Sequence, residues 1–393
     1  MHQSYAPDHY SRELDEGPRT TGLSGCGRAI VLPMKDSDFE AAWLTVRLGA
    51  IGENYRDFRR LAGSASAAGV VKADGYGLGA AFVAPALAAA GCDTFFVARL
   101  EEGIALRNVL HDVRIFVLDG APADAVPALI AHRLTPVLNS LSQIADYGAG
   151  ATSPRDAAIH IDTGMNRLGL SKEELSLLAA EWRTRLKNVR AVLLMSHLAC
   201  GDEPKNNLNL TQLNRFRAAL AMLPPAPASL AASGGAYLGP AYHFDQVRAG
   251  IGLYGGAPQE GGPPLRTVAI LSARVLQLRR IDRGESVGYA ATFHAKRPTM
   301  LATVALGYAG GIPRSLSNKG IAYVGGGRAP YAGRVSMDMT ILDVTDLADI
   351  KAGDVVELLG DHAPLEDMAS LAGTNAYEIL TGLKLPRHYV DAA

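Results

Sequence analysis

Lys72 follows a short apolar run at 69–71 and is itself followed by glycines at 75, 77 and 79. An apolar run of this kind reads as a buried strand, and clustered glycines end any regular element. A lysine at the C-terminal mouth of a buried strand loses hydration. Its amine pKa falls, and the neutral amine can attack a carbonyl to form a Schiff base. The glycines would let the backbone approach something bulky, for which a phosphorylated cofactor is a candidate. On residue type alone, a strand-end lysine is more often a solvated or paired charge.

Other chemistry-bearing groups recur at the ends of similar runs. In His160-Ile161-Asp162-Thr163-Gly164-Met165-Asn166-Arg167, a strand ends in Asp-Thr-Gly and an arginine projects from the following turn. A single Asp-Thr-Gly within a strand–helix alternation argues against an aspartic protease. Leu194-Met195-Ser196-His197 places a histidine at a strand end, where a satisfied core group is the commoner role. Ala232-Ser233-Gly234-Gly235 can cradle a phosphate through its hydroxyl and backbone N–H groups, or Ser233 can simply cap a helix. Asp245-Gln246-Val247-Arg248-Ala249-Gly250-Ile251 ends another strand with an arginine that has a carboxylate nearby to pair with. Tyr76, Tyr289, Tyr308 and Tyr377 sit in turn-rich segments, where half-buried rim or hairpin aromatics are equally at home.

The elements that must position these groups follow from the pattern. Apolar runs at 69–71, 94–98, 114–118, 135–138, 157–161, 191–196, 228–232 and about 244–247 alternate with alanine- and leucine-rich helical stretches such as 80–90 and 172–185. Alternation of this length predicts an α/β fold, and eight strands predict a TIM-like (β/α)8 barrel with function at the C-terminal strand ends. A run at 43–46 is surplus to a closed barrel and is expected to join another domain. Near Pro263-Pro264 the composition shifts to short β-rich runs at 269–278, 300–305, 321–324, 333–335, 340–344 and 354–359. The expected organisation is a barrel over 38–265 and a mostly antiparallel β domain over 266–393. Residues 1–37 carry no periodic pattern and read as a disordered or loosely attached arm.

Composition narrows the function classes. The 393 residues are 48% hydrophobic and 20% charged with net charge −1, so there is no basic excess to suggest nucleic acid. Three cysteines, Cys26, Cys92 and Cys200, are an odd number without ligand-like spacing, which argues against a disulfide framework or a metal site and fits a reducing cytoplasm. No apolar run approaches the roughly 20 residues of a membrane span, and the N-terminus lacks the apolar core of a signal peptide.

From Trp43 to the C-terminus, the ordered set of motifs resembles the alanine racemase family of fold-type III pyridoxal-phosphate enzymes. The resemblance implies that Lys72 holds pyridoxal 5′-phosphate and serves as base on one face of the substrate. Tyr76, Ser233, Tyr377 and the backbone N–H groups of Gly250 and Ile251 would meet the phosphate. Arg167 would bond the phenolic oxygen and lie near the substrate carboxylate, His197 would pack on the ring, and Arg248 would face the pyridine nitrogen. Met337 would offer its N–H to the substrate carboxylate, and Tyr308 with Tyr377 would narrow the entrance. Tyr289, the second base, is implied to come from a partner subunit, making the enzyme an obligate homodimer. The implied activity is interconversion of L- and D-alanine, for peptidoglycan precursors or D-alanine catabolism. Departures from the family pattern are Leu78 (usually histidine), His160 (often a carbamylated lysine that orients the arginine), Ala232 (usually asparagine) and Gly310 (usually aspartate). They leave open a broader racemase acting also on serine. A barrel decarboxylase would pair the ring nitrogen with an acid, and a non-catalytic cofactor-binding regulatory barrel would lack the second domain.

Overall fold

The computed structural model of the chain describes residues 40–259 and 261–391. The arm expected at 1–37, with Cys26, lies outside the described residues. β1 (Ala42–Arg47) is followed by β2 (Ser66–Val70), β3 (Thr94–Val97), β4 (Arg114–Val117), β5 (Thr135–Leu138), β6 (Arg155–His160), β7 (Val189–Met195), β8 (Ala228–Ser229) and β9 (Gln246–Ala249). Strands β2 to β9 form the expected parallel barrel, in the order β8-β7-β6-β5-β4-β3-β2-β9. The ends meet where the Asp245 N–H donates to the Ala228 carbonyl (2.9 Å) and the Arg248 N–H to that of Ala231 (3.0 Å).

The strands read as continuous apolar runs because both faces are covered. Phe95 and Phe96 on β3 and Phe116 on β4 are buried, and the rings of Phe96 and Phe116 stack at 4.7 Å. Between strands, side chains start the helices where the backbone leaves N–H groups unpaired. Ser171 and Glu174 form a capping box at the head of Lys172–Arg185, and the Asn206 side chain accepts the Leu208 N–H at the head of Asn207–Met222.

The second part of the chain contains β10 (Ala269–Ile281), β11 (Ser286–Val287), β12 (Phe293–His294), β13 (Thr299–Val304), β14 (Ile321–Val324), β15 (Gly327–Pro330), β16 (Thr340–Asp343), β17 (Val355–Leu359) and β18 (Arg387–Val390). The long β10 is the spine: its first half pairs with β1 and β17, and its second half with β13, all antiparallel. β1 lies outside the barrel, between β10 and β18, and its pairing with β18 is parallel. The run at 333–335 is not a strand. Gly333 takes a positive φ of 87° and gives its N–H to Asn318 Oδ1 at 2.7 Å. The strand is instead β15, joined to β14 through Gly325 and Gly326, whose φ values of 57° and 80° suit a tight hairpin. Two helices absent from the sequence reading, Leu365–Ala372 and Ala376–Gly382, precede β18. Among the described residues no helix is long and apolar enough to cross a membrane.

Candidate active site

The C-terminal ends of β2, β6, β7, β8 and β9 open into one cavity of about 350 Å³. Its walls carry Lys72, His160, Arg167, His197, Ser233 and Arg248. Tyr76, Gly250 and Ile251 line it too, and Tyr377 closes it from the helix Ala376–Gly382.

After β2 the chain enters an unusual turn. Ala73, Asp74, Gly75 and Tyr76 have φ of 52°, 54°, 63° and 56°, a left-handed helical conformation that costs about 1–2 kcal/mol for each residue bearing a Cβ. Side chains hold it in place. Glu102 accepts the Ala73 N–H (2.7 Å), while Asp74 accepts the Ala80 N–H (2.9 Å) and pairs with Arg387 (2.7 Å). The three glycines do not make room for a ligand, as expected from the sequence. A Cβ on Gly75 would lie 3.1 Å from Ala80 N, one on Gly77 2.5 Å from the Leu380 carbonyl, and one on Gly79 2.1 Å from the Tyr389 hydroxyl. They let the lysine turn pack on its own flank and on the C-terminal helix and strand. The result drives the Lys72 amine into the cavity wall, where burial, and after it the charge of Arg167, lowers its pKa; Glu102 and Asp119 oppose that shift. Tyr76 is buried against Tyr254, whose ring lies 4.4 Å away and whose hydroxyl donates to the Val70 carbonyl at 2.9 Å.

Arg248 is 3% exposed and projects from β9. It does not pair with Asp245, whose carboxylate accepts the Ala228 N–H instead (2.7 Å). Its guanidinium donates to Ser229 Oγ (2.5 Å), the Ser196 carbonyl (2.7 Å) and the Leu230 carbonyl (3.3 Å). It also donates to His197 Nδ1 at 3.3 Å. Because arginine only donates, Nδ1 is the bare nitrogen of a neutral ring. Burial and the neighbouring cations, Arg248 first, hold the His197 pKa well below that of free histidine. Burial brings Arg248 itself down to about 10, still protonated at neutral pH. Beside it, Ser233 Oγ accepts the N–H of Gly250 (2.7 Å) and of Gly252 (3.4 Å), which fixes the Ser233 hydroxyl against the turn after β9 at one corner of the cavity.

The Arg167 loop is shaped by Asp162, whose carboxylate takes the N–H groups of Gly164 (2.8 Å), Met165 (2.9 Å) and Asn166 (2.9 Å). The aspartate of the Asp-Thr-Gly triplet thus builds a turn. Thr163 bonds Ser196 Oγ at 2.7 Å, and the fully buried Gln212 reaches Thr163 Oγ1 (3.1 Å) and the His197 carbonyl (2.9 Å).

Tyr289, Tyr308 and Met337 are not on the walls of this cavity. Tyr289 is 71% exposed and lines a surface groove with Arg334 and Met339. Tyr308 and Met337 are also exposed, on two loops joined by the Tyr308 N–H to the Ser336 carbonyl (3.0 Å) and the Ala309 N–H to that of Met337 (2.9 Å).

Known proteins share both parts of this architecture. Models of the alanine racemase N-terminal and C-terminal domains match residues 46–258 and 268–389. The catabolic alanine racemase of Agrobacterium fabrum is 48% identical over 88% of this chain and 92% of its own length. The alanine racemase of Rhodospirillum rubrum is 46% identical over 91% and 98%. The chain belongs to the alanine racemase family. Among solved structures, alanine racemase from Bartonella henselae, with covalently bound pyridoxal phosphate, superposes with a TM-score of 0.85 at 42% identity, over 89% of this chain and 99% of that one. The biosynthetic alanine racemase of Pseudomonas aeruginosa gives 0.84 at 38%, with the same coverage.

For an alanine racemase relative, the residues that sequence reasoning missed are those acting through others. Glu102, Gln212 and Asn139 hold the lysine turn, the Arg167 loop and His160. Gln212 had one legible signal, an amide one helical turn before Phe216 on the face that carries Leu213, Phe216 and Ala219. Glu102 and Asn139 sit at strand–helix junctions, where acidic and amide side chains are common.

Proposed function

We infer that this chain interconverts L- and D-alanine with pyridoxal 5′-phosphate held at Lys72. The observation that carries this reading is the cavity itself, with a buried, pKa-lowered lysine amine and a buried donor-only arginine on its walls, in a chain matched across both domains by one family. The residues present fit the cofactor. Ser233, Gly250 and Ile251 line one corner that would take the phosphate, and the aromatic Tyr76 and Tyr377 close it.

Bound there, the cofactor supplies an electron sink that makes the substrate α-proton removable. Lys72, whose amine pKa burial lowers, takes or gives that proton on one face. Arg167 holds the substrate carboxylate by charge-assisted bonds. Arg248 would stand at the ring nitrogen. A guanidinium gives up its proton reluctantly, so it leaves that nitrogen largely unprotonated and tempers the sink, which disfavours side reactions. Backbone N–H of Met337 and the Tyr308–Tyr377 pair would guide a small substrate.

Racemisation needs a proton donor on the opposite face, and Tyr289 is that group in our reading, contributed by a second copy of the chain. Its exposure outside its own cavity, together with that of Tyr308 and Met337, supports a homodimer with shared sites. We place the enzyme in the cytoplasm, supplying D-alanine for peptidoglycan or consuming it. The test is racemisation of L-alanine and L-serine followed by circular dichroism, with Lys72→Ala and Tyr289→Phe beside wild type. Alanine preferred over serine, visible cofactor absorbance lost in Lys72→Ala, and poor racemisation with absorbance intact in Tyr289→Phe are expected. Cofactor binding without racemisation by wild type would overturn the reading.

A further inference from the structure

We propose that Arg387, on the last strand of the second domain, is a positioning residue for Lys72: its ion pair with Asp74 holds the lysine turn in the form that captures the cofactor. The proposal deepens the racemase reading and rests on it for the identity of that cofactor. Lys72 is followed by a left-handed run in which Ala73, Asp74 and Tyr76 all carry a Cβ. Such a run is strained and persists only where its surroundings fix it. The Asp74 carboxylate does so in two directions. Its Oδ1 accepts the Ala80 N–H at 2.9 Å, a local bond that caps the next helix. Its Oδ2 meets Arg387 Nη1 at 2.7 Å, across 313 positions of sequence.

Arg387 is itself held in register. It begins β18 and lies opposite Leu44 of β1. Two residues further on, the Tyr389 ring stacks on Phe82 at 3.9 Å and 17°, and Phe82 belongs to the helix Ala80–Ala89 that follows the turn. The Tyr389 hydroxyl and the Arg387 guanidinium both lie against Gly79, where a Cβ has no space. β18 thus reaches the lysine segment at Asp74, at Gly79 and in the helix behind them. The paired side chains are 30% and 56% exposed, so the contact adds little to the stability of the whole chain. Its effect is local, because a small bias decides the shape of a strained turn. The amine that must meet the cofactor is the residue immediately before that turn.

The test is the affinity of the full chain for pyridoxal 5′-phosphate, read by visible absorbance, with amide hydrogen exchange across 73–80 beside it. Arg387→Met removes the charge and keeps an apolar stem. Asp74→Asn removes the other charge but keeps an oxygen for the Ala80 N–H and a side chain that suits a positive φ. Each should weaken cofactor binding about threefold to tenfold and speed exchange in the turn. The double variant should be no worse than either single one, because both remove the same contact. One guanidinium nitrogen makes the pair, so Arg387→Lys should recover part of the loss. Raising sodium chloride from about 0.1 M to about 1 M shortens the screening length from about 10 Å to about 3 Å, which should narrow the gap between wild type and Arg387→Met. Wild-type affinity and exchange in Arg387→Met, losses that add in the double variant, or a gap that salt leaves unchanged overturns the proposal. If Arg387→Met does not fold, Asp74→Asn and Arg387→Lys decide. Neither readout needs turnover, so a wild type that binds the cofactor and racemises nothing overturns the racemase reading alone. A wild type that binds no cofactor also overturns that reading, and amide exchange then judges the pair.

Discussion

The shared sites proposed above make a quantitative demand on mixed dimers. Lys72→Ala deletes the amine from every site, and Tyr289→Phe deletes the phenol, so each homodimer is crippled. Loss of one proton-transfer group typically costs about 10²–10⁴ in rate, which puts either parent at or below roughly 1% of wild type. A hybrid of one chain of each kind is different. One of its sites combines the intact Lys72 of the Tyr289→Phe chain with the intact Tyr289 of the Lys72→Ala chain; the other lacks both groups. Tyr289 is 71% exposed and absent from its own cavity wall, so within a single chain it does not face Lys72 across the cavity. Isolated hybrids should recover about half the wild-type activity per dimer, and a random one-to-one mixture about a quarter, since half of its dimers are hybrid. Co-expression with two affinity tags, tandem purification and circular dichroism of L-alanine racemisation measure both figures. Hybrids no more active than their parents would refute the idea that the site is shared.

The remaining predictions concern the lysine turn and acid stability. Gly77→Ala puts a methyl group 2.5 Å from the Leu380 carbonyl at a φ of 82°, so it should destabilise the chain by more than about 1 kcal/mol in denaturant unfolding and loosen the helix bearing Tyr377. His160 has a folded pKa of about 4 against 6.5 for the free side chain, so the native state binds fewer protons than the unfolded chain. Stability conferred by its neutrality is present above about pH 6.5 and is lost as pH falls towards 4, a change of roughly 3 kcal/mol. Unfolding midpoints recorded across that window should fall steeply in wild type and less so in His160→Gln.

The sequence made much of the barrel legible and left its joints hidden. Strands such as β3 and β4 are apolar on both faces and bounded by polar turns, so runs like Phe95-Phe96 located them within a residue or two. The hairpin at Gly325-Gly326 was missed because β15, with Gly327, Arg328, Ala329 and Pro330, has almost no strand composition; its pairing with β14 comes from the turn. In the site, Lys72, Arg167 and Arg248 stand out because a strand end is a place where charge needs a reason. The glycines after Lys72 were visible, but their neighbours were not. Leu380 and Tyr389 lie about 300 residues further along the chain, and periodicity does not encode contact at that range. Nor does it encode the meeting of Asn139, one residue past β5, with His160, the last residue of β6, which follows from the register of the β5–β6 pair.

The placement of β1 bears on how the protein can be made. β1 is the first strand of the described residues to leave the ribosome, yet one of its neighbours, β10, begins more than two hundred residues later, and the other, β18, is the last strand described. Its apolar residues Leu44 and Val46, buried in the finished sheet, must stay unpaired until nearly all of the polypeptide has been synthesised. Cutting the gene between the two matched regions would therefore not yield two independent proteins. The downstream product would carry an open β10 edge and a β18 without β1, its one strand partner among the described residues, both templates for self-association.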